Sequence, residues 1–171
     1  LLIIGNNVAG TFSAQNIRNK DENAEIHIYS QENYNYYTRI KLPEIISELK
    51  TIDDLTVFKD DWYVNNNINT HLNTRISVIN PDEKFIFTEK ADHKISYDKL
   101  ILAVGSHPNV PPIDNARELL GKGVFTLRNI QDAYTISDYI KEKNCEKAII
   151  IGGGLLGLEL SKQIKNAGLD T

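Results

Sequence analysis

The fold is decided by residues 149–159, which read Ile-Ile-Ile-Gly-Gly-Gly-Leu-Leu-Gly-Leu-Glu. An apolar run with strand character leads into glycines at 152, 154 and 157, and helix-forming residues follow. This spacing, G-x-G-x-x-G, joins a strand to a helix in dinucleotide-binding units. In such a turn Gly152 makes the tight bend, Gly154 lets backbone amides approach a pyrophosphate, and Gly157 lets the helix lie close to the strand. A turn that serves packing alone is the alternative interpretation.

The first ten residues repeat this pattern in altered form. An apolar run at 1–4 leads into Gly-Asn-Asn-Val-Ala-Gly at 5–10, and a helical pattern follows. A second predicted strand at 25–29 then completes a β-α-β unit, which implies parallel strands joined by a right-handed crossover. Asn7 replaces the middle glycine, and asparagine tolerates left-handed backbone angles, but its side chain lies where a pyrophosphate approaches. We expect either weakened nucleotide binding here or a turn that only packs.

An acidic residue about 20 positions beyond such a turn, at the end of the second strand, binds ribose hydroxyls. Here that strand ends at Ser30-Gln31-Glu32. Glu32 is therefore the candidate, with Ser30 and Gln31 as helpers, and a solvated loop glutamate is the alternative. For the second turn the corresponding residue would come after Thr171, so these residues do not encode the choice between NAD and NADP.

The remaining pattern predicts an α/β chain with two Rossmann-like units, in three layers, with a parallel sheet and a small antiparallel meander. The predicted elements are short helices at 43–49 and from Asp60, strands at 70–79, 84–88 and 97–105, a strand at 124–127, a helix at 131–143, a strand at 147–151 and a helix at 155–167. Prolines at 108, 111 and 112 place a domain boundary between 1–108 and 109–171. The chain opens inside a strand without methionine and stops after a helix, so we expect a fragment truncated at both ends.

Composition narrows the possible partners and compartments. The 171 residues are 41% apolar and 25% charged, which is typical of a globular protein. Nineteen Lys and Arg against 23 Asp and Glu give a net charge of −4 without a long basic run, which argues against nucleic acid as a partner. The longest apolar stretch is too short to span a bilayer, so we expect no membrane partner. The single cysteine, Cys145, indicates a reducing compartment, and we expect the cytoplasm.

Four stretches stand in a fixed order after the first turn. They are YNYYTRIKL at 34–42, YDKLILAVGSHPNVPPI at 97–113, TLRNIQDA at 126–133 and IIIGGGLLGLE at 149–159. In this order they resemble the pyridine nucleotide-disulfide oxidoreductase superfamily, and within it the NAD(P)H:rubredoxin reductases and the flavin-bearing N-terminal part of the NAD(P)H nitrite reductase large subunit. The resemblance implies the first part of an FAD-binding domain followed by the first part of an NAD(P)H-binding domain.

The resemblance also implies which residues hold the two cofactors. For FAD they are Gly5, Asn7, Val8, Ala9 and Gly10 at the pyrophosphate, Ser30 and Glu32 at the adenosine ribose, Arg39 and Lys41 on the flavin side, Ile76 at the adenine, Ala103 and Gly105 beside the cofactor, and Arg128. For NAD(P)H they are Gly152, Gly154, Leu155, Gly157 and Glu159, although a helix-surface role for Glu159 is equally open. No catalytic side chain and no metal ligand is expected.

The implied reaction is hydride transfer from NAD(P)H to FAD, followed by electron delivery to an iron-containing acceptor. That acceptor would be rubredoxin-like, or a sirohaem or iron-sulfur centre of a nitrite reductase. Disulfide-reducing relatives carry a cysteine after the second strand, whereas residues 43–50 contain none, and Cys145 is remote in sequence. The alternatives are a non-enzymatic nucleotide-binding or regulatory module that has lost tight FAD binding, which Asn7 favours, and an inert structural fragment. Tyr34, Tyr36 and Tyr37 are candidates for a flavin edge, an acceptor dock or simple packing.

Overall fold

The structure, a computed structural model, describes all residues from 1 to 171. In chain order its elements are β1 (Leu2–Ile4), α1 (Val8–Arg18), β2 (Ile26–Tyr29), a 3-10 turn (Arg39–Lys41), α2 (Leu42–Ile46), α3 (Ile52–Leu55), α4 (Asp60–Asn65), β3 (Ile68–His71), β4 (Ile76–Asn80), β5 (Phe85–Thr88), β6 (Ala91–Ser96), β7 (Leu100–Leu102), α5 (Ile130–Glu142) and α6 (Leu155–Asn166). The first compact unit contains Leu1–Tyr37 and Thr56–Gly105, and the second contains Thr38–Leu55 and Ser106–Thr171. The division into two cofactor domains near residue 108 stays a prediction.

A four-stranded parallel sheet forms the centre of the first unit, in the order β3-β2-β1-β7. β1 lies between β2 and β7, so that Ile4 is opposite Tyr29 on one side and Leu102 on the other. The predicted β-α-β unit is confirmed by this parallel pairing. Because all four strands run the same way, the loops that leave their carboxyl ends lie along one edge of the sheet, where ligands bind in open α/β sheets.

Each face of this sheet is covered by a different layer. On one face Ile3 and Ile28 pack with Ala14 of α1, and on the other Leu2 packs with Ile86 of β5. β5 is the middle strand of the antiparallel sheet β4-β5-β6. Successive side chains of a strand point to opposite faces, which is why neighbouring residues of β1 enter different cores. Helix, parallel sheet and meander are the three predicted layers, and the α/β fold class is confirmed.

The second unit is mainly helical. α2 contacts α5 and α6, and its buried residues are Leu42, Pro43, Ile45 and Ile46. Directly after α2, the Ser47 hydroxyl donates a 2.8 Å hydrogen bond to Gln163 Oε1 on α6, and Glu48 forms an ion pair with Lys141 of α5. α5 begins with a capping box, in which Asn129 and Asp132 each accept from the other's backbone amide. Side-chain hydrogen bonds and an ion pair therefore connect the end of α2 to α5 and α6.

In the second unit the helix that follows the second glycine turn is present, but no strand precedes it. Lys147 forms a parallel bridge with Asp170, and the Ala148 amide donates to the Asp170 carbonyl at 2.8 Å. Residues 149–151 form no strand, and Ile149 is 92% exposed. The prediction of a strand over 147–151 is therefore wrong, since the segment holds only the isolated bridge at Lys147. An apolar run becomes a strand only where a neighbouring extended segment completes its backbone hydrogen bonds, as β2 and β7 do for β1.

Other predicted elements also differ from the structure. The segment 70–79 is two strands, and the first of them, β3, joins the parallel sheet. Asn73 has a left-handed φ of 49°, which ends the extended backbone between β3 and β4. β6 has no counterpart in the prediction, and the segment 124–127 forms only an isolated bridge from Val124 to Leu120. Asp60 is the first residue inside α4, and Lys59 is its N-cap.

Among the helices of the chain, none combines the length and the apolar character that a membrane crossing requires.

Candidate nucleotide-binding turns

The first glycine turn lies at the carboxyl end of β1. Gly5 has a φ of 113°, a left-handed angle that disfavours every residue with a Cβ. A Cβ at this position would lie 2.1 Å from the carbonyl oxygen of Ala103, and a Cβ at Gly10 would lie 1.9 Å from the carbonyl oxygen of Gly5. Both positions therefore require glycine. Gly5 requires it because its left-handed backbone lies against Ala103, and Gly10 because α1 starts in direct backbone contact with Gly5.

Asn7 is the N-cap of α1, and its backbone is extended, with φ −142°. The predicted need for left-handed tolerance at this position is wrong, since the left-handed residue is Gly5. Asn7 Oδ1 accepts the amides of Ala9 (3.0 Å) and Gly10 (3.3 Å), and Nδ2 donates to the Ala103 carbonyl at 2.5 Å. The carboxamide thus caps α1 and ties it to the residue after β7. It also takes the amides that an anion at this helix end would use.

Ser30 and Glu32 follow β2 at the same edge of the sheet. Ser30 is buried, its amide donates to the His71 carbonyl at 3.0 Å, and its Oγ accepts the Glu32 amide at 3.2 Å. Glu32 Oε2 accepts a 2.5 Å hydrogen bond from the hydroxyl of the buried Tyr37. Gly5 lies beside this segment, because its amide donates to the Tyr29 carbonyl at 2.8 Å. The structure therefore brings the first turn and the predicted ribose-binding carboxylate to one edge.

A buried polar network behind the first turn is a feature that the sequence analysis missed. Asn6 lies between Gly5 and Asn7, and its side chain is turned inward, with the residue only 7% exposed. It bonds to Thr11, Asn35 and Tyr63, at distances from 2.9 to 3.0 Å. The asparagine at position 6, inside a glycine turn, was the one sequence signal of this network. If its side chain is buried, its amide needs several polar partners.

The second turn has the same close backbone contact between glycines as the first, but no side chain caps the helix that follows. Gly152 has a φ of 122°, and a Cβ at Gly157 would lie 2.0 Å from the Gly152 carbonyl oxygen. Gly154 is the N-cap of α6 and supplies no side-chain cap, and a Cβ there would meet open space. Leu155, the first residue of α6, is exposed. Glu159 Oε1 accepts a 2.8 Å hydrogen bond from Gln163 one turn further along the helix.

The remaining predicted site residues lie in three other places. Arg39 opens the 3-10 turn and the exposed Lys41 closes it, both in the second unit. Arg128, also in the second unit, donates from Nε to the Ser106 carbonyl at 2.9 Å. Ile76 begins β4, and Gly105, with a φ of 71°, ends the first unit. Their roles towards a cofactor stay predictions.

Two of the three tyrosines after β2 pack against other residues of the first unit. Tyr37 is buried, and Tyr36 lies edge-on to Phe12 with ring centroids 6.3 Å apart. Cys145, after α5, has its sulfur 4.0 Å from the Tyr139 carbonyl oxygen.

The whole chain, residues 1–171, matches the family model described as pyridine nucleotide-disulphide oxidoreductase. The chain belongs to this family. It is 39% identical over 168 residues to NADH-rubredoxin oxidoreductase of Clostridium acetobutylicum, with 98% of this chain and 42% of that protein covered. It is 37% identical over 172 residues to nitrite reductase (NAD(P)H) of Bacillus subtilis, with 99% and 20% covered. The crystal structure of the Clostridium acetobutylicum enzyme has a TM-score of 0.82 at 38% identity, covering 99% of this chain and 42% of that chain.

These matches confirm the resemblance inferred from the four sequence stretches. Proteins of the pyridine nucleotide-disulphide oxidoreductase family bind FAD and NAD(P)H, and the matched relatives are NAD(P)H oxidoreductases. The chain spans less than half the length of the two relatives described above.

The residues of the first turn fit a cofactor pyrophosphate in most respects. The absence of a Cβ at Gly5 and Gly10 lets α1 begin at the sheet edge, and Val8 and Ala9 are exposed there. The Asn7 carboxamide is the one side chain bonded across the helix end, and rotation about its side-chain torsions releases it without backbone movement. The residues therefore fit a pyrophosphate once that carboxamide has turned away.

A histidine pair lies on β2 and β3 of the first unit. His27 Nδ1 is 2.9 Å from His71 Nε2, His27 Nε2 is 2.9 Å from Glu25 Oε1, and the His71 ring stacks on Tyr29 with centroids 4.3 Å apart. Burial, reinforced by the nearby charge of His27, lowers the pKa of His71 below its ordinary value. The hydrogen bond from His27 lowers the pKa of Glu25. The pair is thus held most stably with His71 neutral.

We expect the free energy of unfolding to fall as the pH is lowered from 7 through about 6.5, the ordinary histidine value. In this pH range the His71 side chain is protonated in the unfolded chain but stays neutral in the folded chain, where its pKa is lower. Urea unfolding at pH 7.5, 6.5 and 5.5 measures this slope. His71→Phe, which keeps the ring stacked on Tyr29, should flatten it, and His93→Phe at an exposed site on β6 should not. An unchanged slope in His71→Phe would show that other groups cause it.

Proposed function

We propose that this chain is part of an FAD-dependent NAD(P)H oxidoreductase, in which the first turn takes the FAD pyrophosphate and the second takes NAD(P)H. The observation that carries the proposal is the repeated backbone contact at the two turns. A Cβ at Gly10 would lie 1.9 Å from the Gly5 carbonyl oxygen, and a Cβ at Gly157 would lie 2.0 Å from the Gly152 carbonyl oxygen. Two helices that each start in backbone contact with a glycine turn can offer their first amides to a phosphate-containing ligand, which supports two nucleotide sites.

Each group of residues has a distinct task in this proposal. The backbone of residues 5–10 holds the FAD pyrophosphate, and the Glu32 carboxylate, oriented by Tyr37, binds the ribose. Arg39, Lys41 and Arg128 supply positive charge towards the flavin. The second turn, Gly152–Gly157 with Leu155, holds the nicotinamide nucleotide, and Glu159 orients it. When bound, FAD supplies the chemistry that accepts hydride and passes electrons on.

The electron acceptor in this proposal is an iron-containing protein or domain. The matched relatives are named for rubredoxin and for nitrite reduction, which supports a rubredoxin-like partner or a sirohaem or iron-sulfur centre. Cys145 is the single cysteine of the chain, and it follows α5 rather than β2 or the first turn. Direct electron passage from the flavin is therefore favoured over reduction of a disulfide substrate. The same cysteine usage favours the cytoplasm as the compartment.

The test is the visible absorbance of the full natural protein that carries these 171 residues, before and after anaerobic NADH or NADPH. We expect a flavin spectrum that one nucleotide bleaches, and the more effective nucleotide identifies the donor. The 171-residue chain, titrated with FAD beside it, reports whether these residues bind the cofactor alone. A full protein that takes up no FAD and oxidises neither nucleotide would refute the oxidoreductase.

A nucleotide-binding or regulatory module without catalysis is the second candidate. The observation that favours it is the Asn7 carboxamide, which occupies the amides of Ala9 and Gly10. Binding of ADP to the full protein without uptake of FAD would support this module.

A further inference from the structure

Three side chains behind the first turn form a continuous line of hydrogen bonds. Asn6 Nδ2 donates to Asn35 Oδ1 at 2.9 Å, and Asn35 Nδ2 donates to Asp60 Oδ1 at 2.6 Å. On the inner side, Asn6 Oδ1 accepts from Thr11 Oγ1 at 2.9 Å and from the Tyr63 hydroxyl at 3.0 Å. Asn6 and Asn35 are each 7% exposed, and Thr11 is fully buried. The line therefore runs from the core to the surface, where Asp60 is exposed.

The direction of every bond in this line follows from Asp60. An ionised carboxylate only accepts hydrogen bonds, so Asn35 must turn its NH₂ group to Asp60 and its oxygen to Asn6. Asn6 must then donate to Asn35 and present its oxygen to the hydroxyls of Thr11 and Tyr63. Because each amide has one satisfying orientation, the network holds its backbone segments in one arrangement.

The line joins the two segments that the proposed function assigns to the adenosine half of FAD. Asn6 lies within the turn that takes the pyrophosphate. Asn35 lies in the loop after β2 that carries Glu32, and the amide of the next residue, Tyr36, donates to the Tyr63 hydroxyl at 3.3 Å. The turn and the loop are thus fastened to the same buried hydroxyl and to each other.

We propose that the Asn6–Asn35–Asp60 line is a positioning device that sets the spacing between the pyrophosphate-binding turn and the ribose-binding Glu32. This inference rests on the proposed function. A ligand held at two points binds more tightly when both points are fixed before it arrives, because ordering them on binding costs free energy. Asn6, Asn35 and Asp60 are positioning residues here, since they act through the turn and the loop.

Three variants test the direction of the bonds. Asn35→Asp keeps the acceptor for Asn6 but places a carboxylate against Asp60, where neither group donates. Asp60→Asn can still accept from Asn35 through its amide oxygen. In the double variant Asn35→Asp/Asp60→Asn, the new amide donates to the new carboxylate, and the line is restored with its charge moved inward. Asn65→Asp, the same chemical change at an exposed position of α4, is the matched control.

The measurement is a titration of the ¹⁵N-labelled 171-residue chain with ADP, which contains the ribose and two phosphates of FAD. The amide signals of Gly5 and Gly10 report the first turn, and those of Gly152 and Gly154 report the second in the same spectrum. We expect Asn35→Asp to weaken binding at the first turn about tenfold, the loss of one hydrogen bond to a charged group. The double variant, Asp60→Asn and Asn65→Asp should all remain within about threefold of the original chain.

Urea unfolding of each variant separates positioning from stability, because ADP affinity is compared only among folded proteins. Equal ADP affinity in folded Asn35→Asp, or no recovery in the folded double variant, would overturn the positioning role. If Asn35→Asp does not fold, Asp60→Ala against Asp60→Asn decides, since alanine at this exposed site removes the acceptor and asparagine retains it. We then expect weaker binding with alanine alone, and equal affinities would overturn the inference. If the Gly5 and Gly10 signals of the original chain respond to neither ADP nor FAD, the same variants are compared by FAD uptake of the full natural protein. Equal uptake by Asn35→Asp would then overturn the inference, and no uptake by the unaltered full protein would refute the proposed function.

Discussion

Asn7→Gly should bind ADP at the first turn about tenfold more tightly than the original chain, while lowering the free energy of unfolding by about 1–2 kcal/mol. The affinity rises because Asn7 Oδ1 no longer competes for the Ala9 and Gly10 amides. The stability falls because α1 loses its cap and its hydrogen bond to the Ala103 carbonyl. Opposite signs for ligand affinity and intrinsic stability are the signature of a side chain that substitutes for the ligand.

The glycine-amide titration with ADP and urea unfolding without ligand measure the two effects. Asn144→Gly is the matched control, since it makes the same substitution in the second unit, at a residue with a φ of 48°. It should leave the first turn's ADP affinity unchanged. Unaltered or weaker ADP binding in Asn7→Gly would mean that the carboxamide does not compete with the phosphate.

Gly10→Ala should cost about 2–3 kcal/mol of stability and abolish nucleotide binding at the first turn. Its Cβ would lie 1.9 Å from the Gly5 carbonyl oxygen, and backbone at that point cannot move aside without separating α1 from β1. Gly157→Ala should act in the same way on the second turn, where the distance to the Gly152 carbonyl oxygen is 2.0 Å.

Gly153→Ala provides the contrast for both glycine variants. A Cβ at Gly153 meets no atom within 4 Å, so the change should alter stability by less than about 0.5 kcal/mol. Urea unfolding and ADP titration of the three variants test this difference. If Gly10→Ala unfolds and binds like Gly153→Ala, then the close contact between turn and helix is not a requirement of the site.

Sequence reasoning succeeded where one local pattern determines the backbone. The glycine spacing at 152, 154 and 157, and its altered copy at 5–10, predicted two helices that start against a strand end. Both helices are present and each starts in contact with its glycine turn, although only the first follows a strand. The parallel pairing of β1 and β2 followed from the length of the crossover between them, since a parallel pair needs an intervening segment such as α1.

The failures share a different cause, which is dependence on residues far away in sequence. Residues 149–151 have strand composition, but no neighbour completes their hydrogen bonds. Asn6 looks like any turn residue until Asn35 and Tyr63, 29 and 57 positions away, are placed beside it. A pattern of period two also does not reveal that β3 and β4 join different sheets. Such partners become visible only after the chain has folded.

The two turns should also differ in how fast their amide protons exchange with solvent when no nucleotide is present. At the first turn the Ala9 and Gly10 amides are already bonded to Asn7, so exchange requires the cap to open. At the second turn Gly154 offers no side-chain cap, and Leu155 and Leu156 at the start of α6 are exposed. A side chain therefore closes two amides of the first helix end and none of the second, so we expect a nucleotide to add more protection from exchange at the second turn.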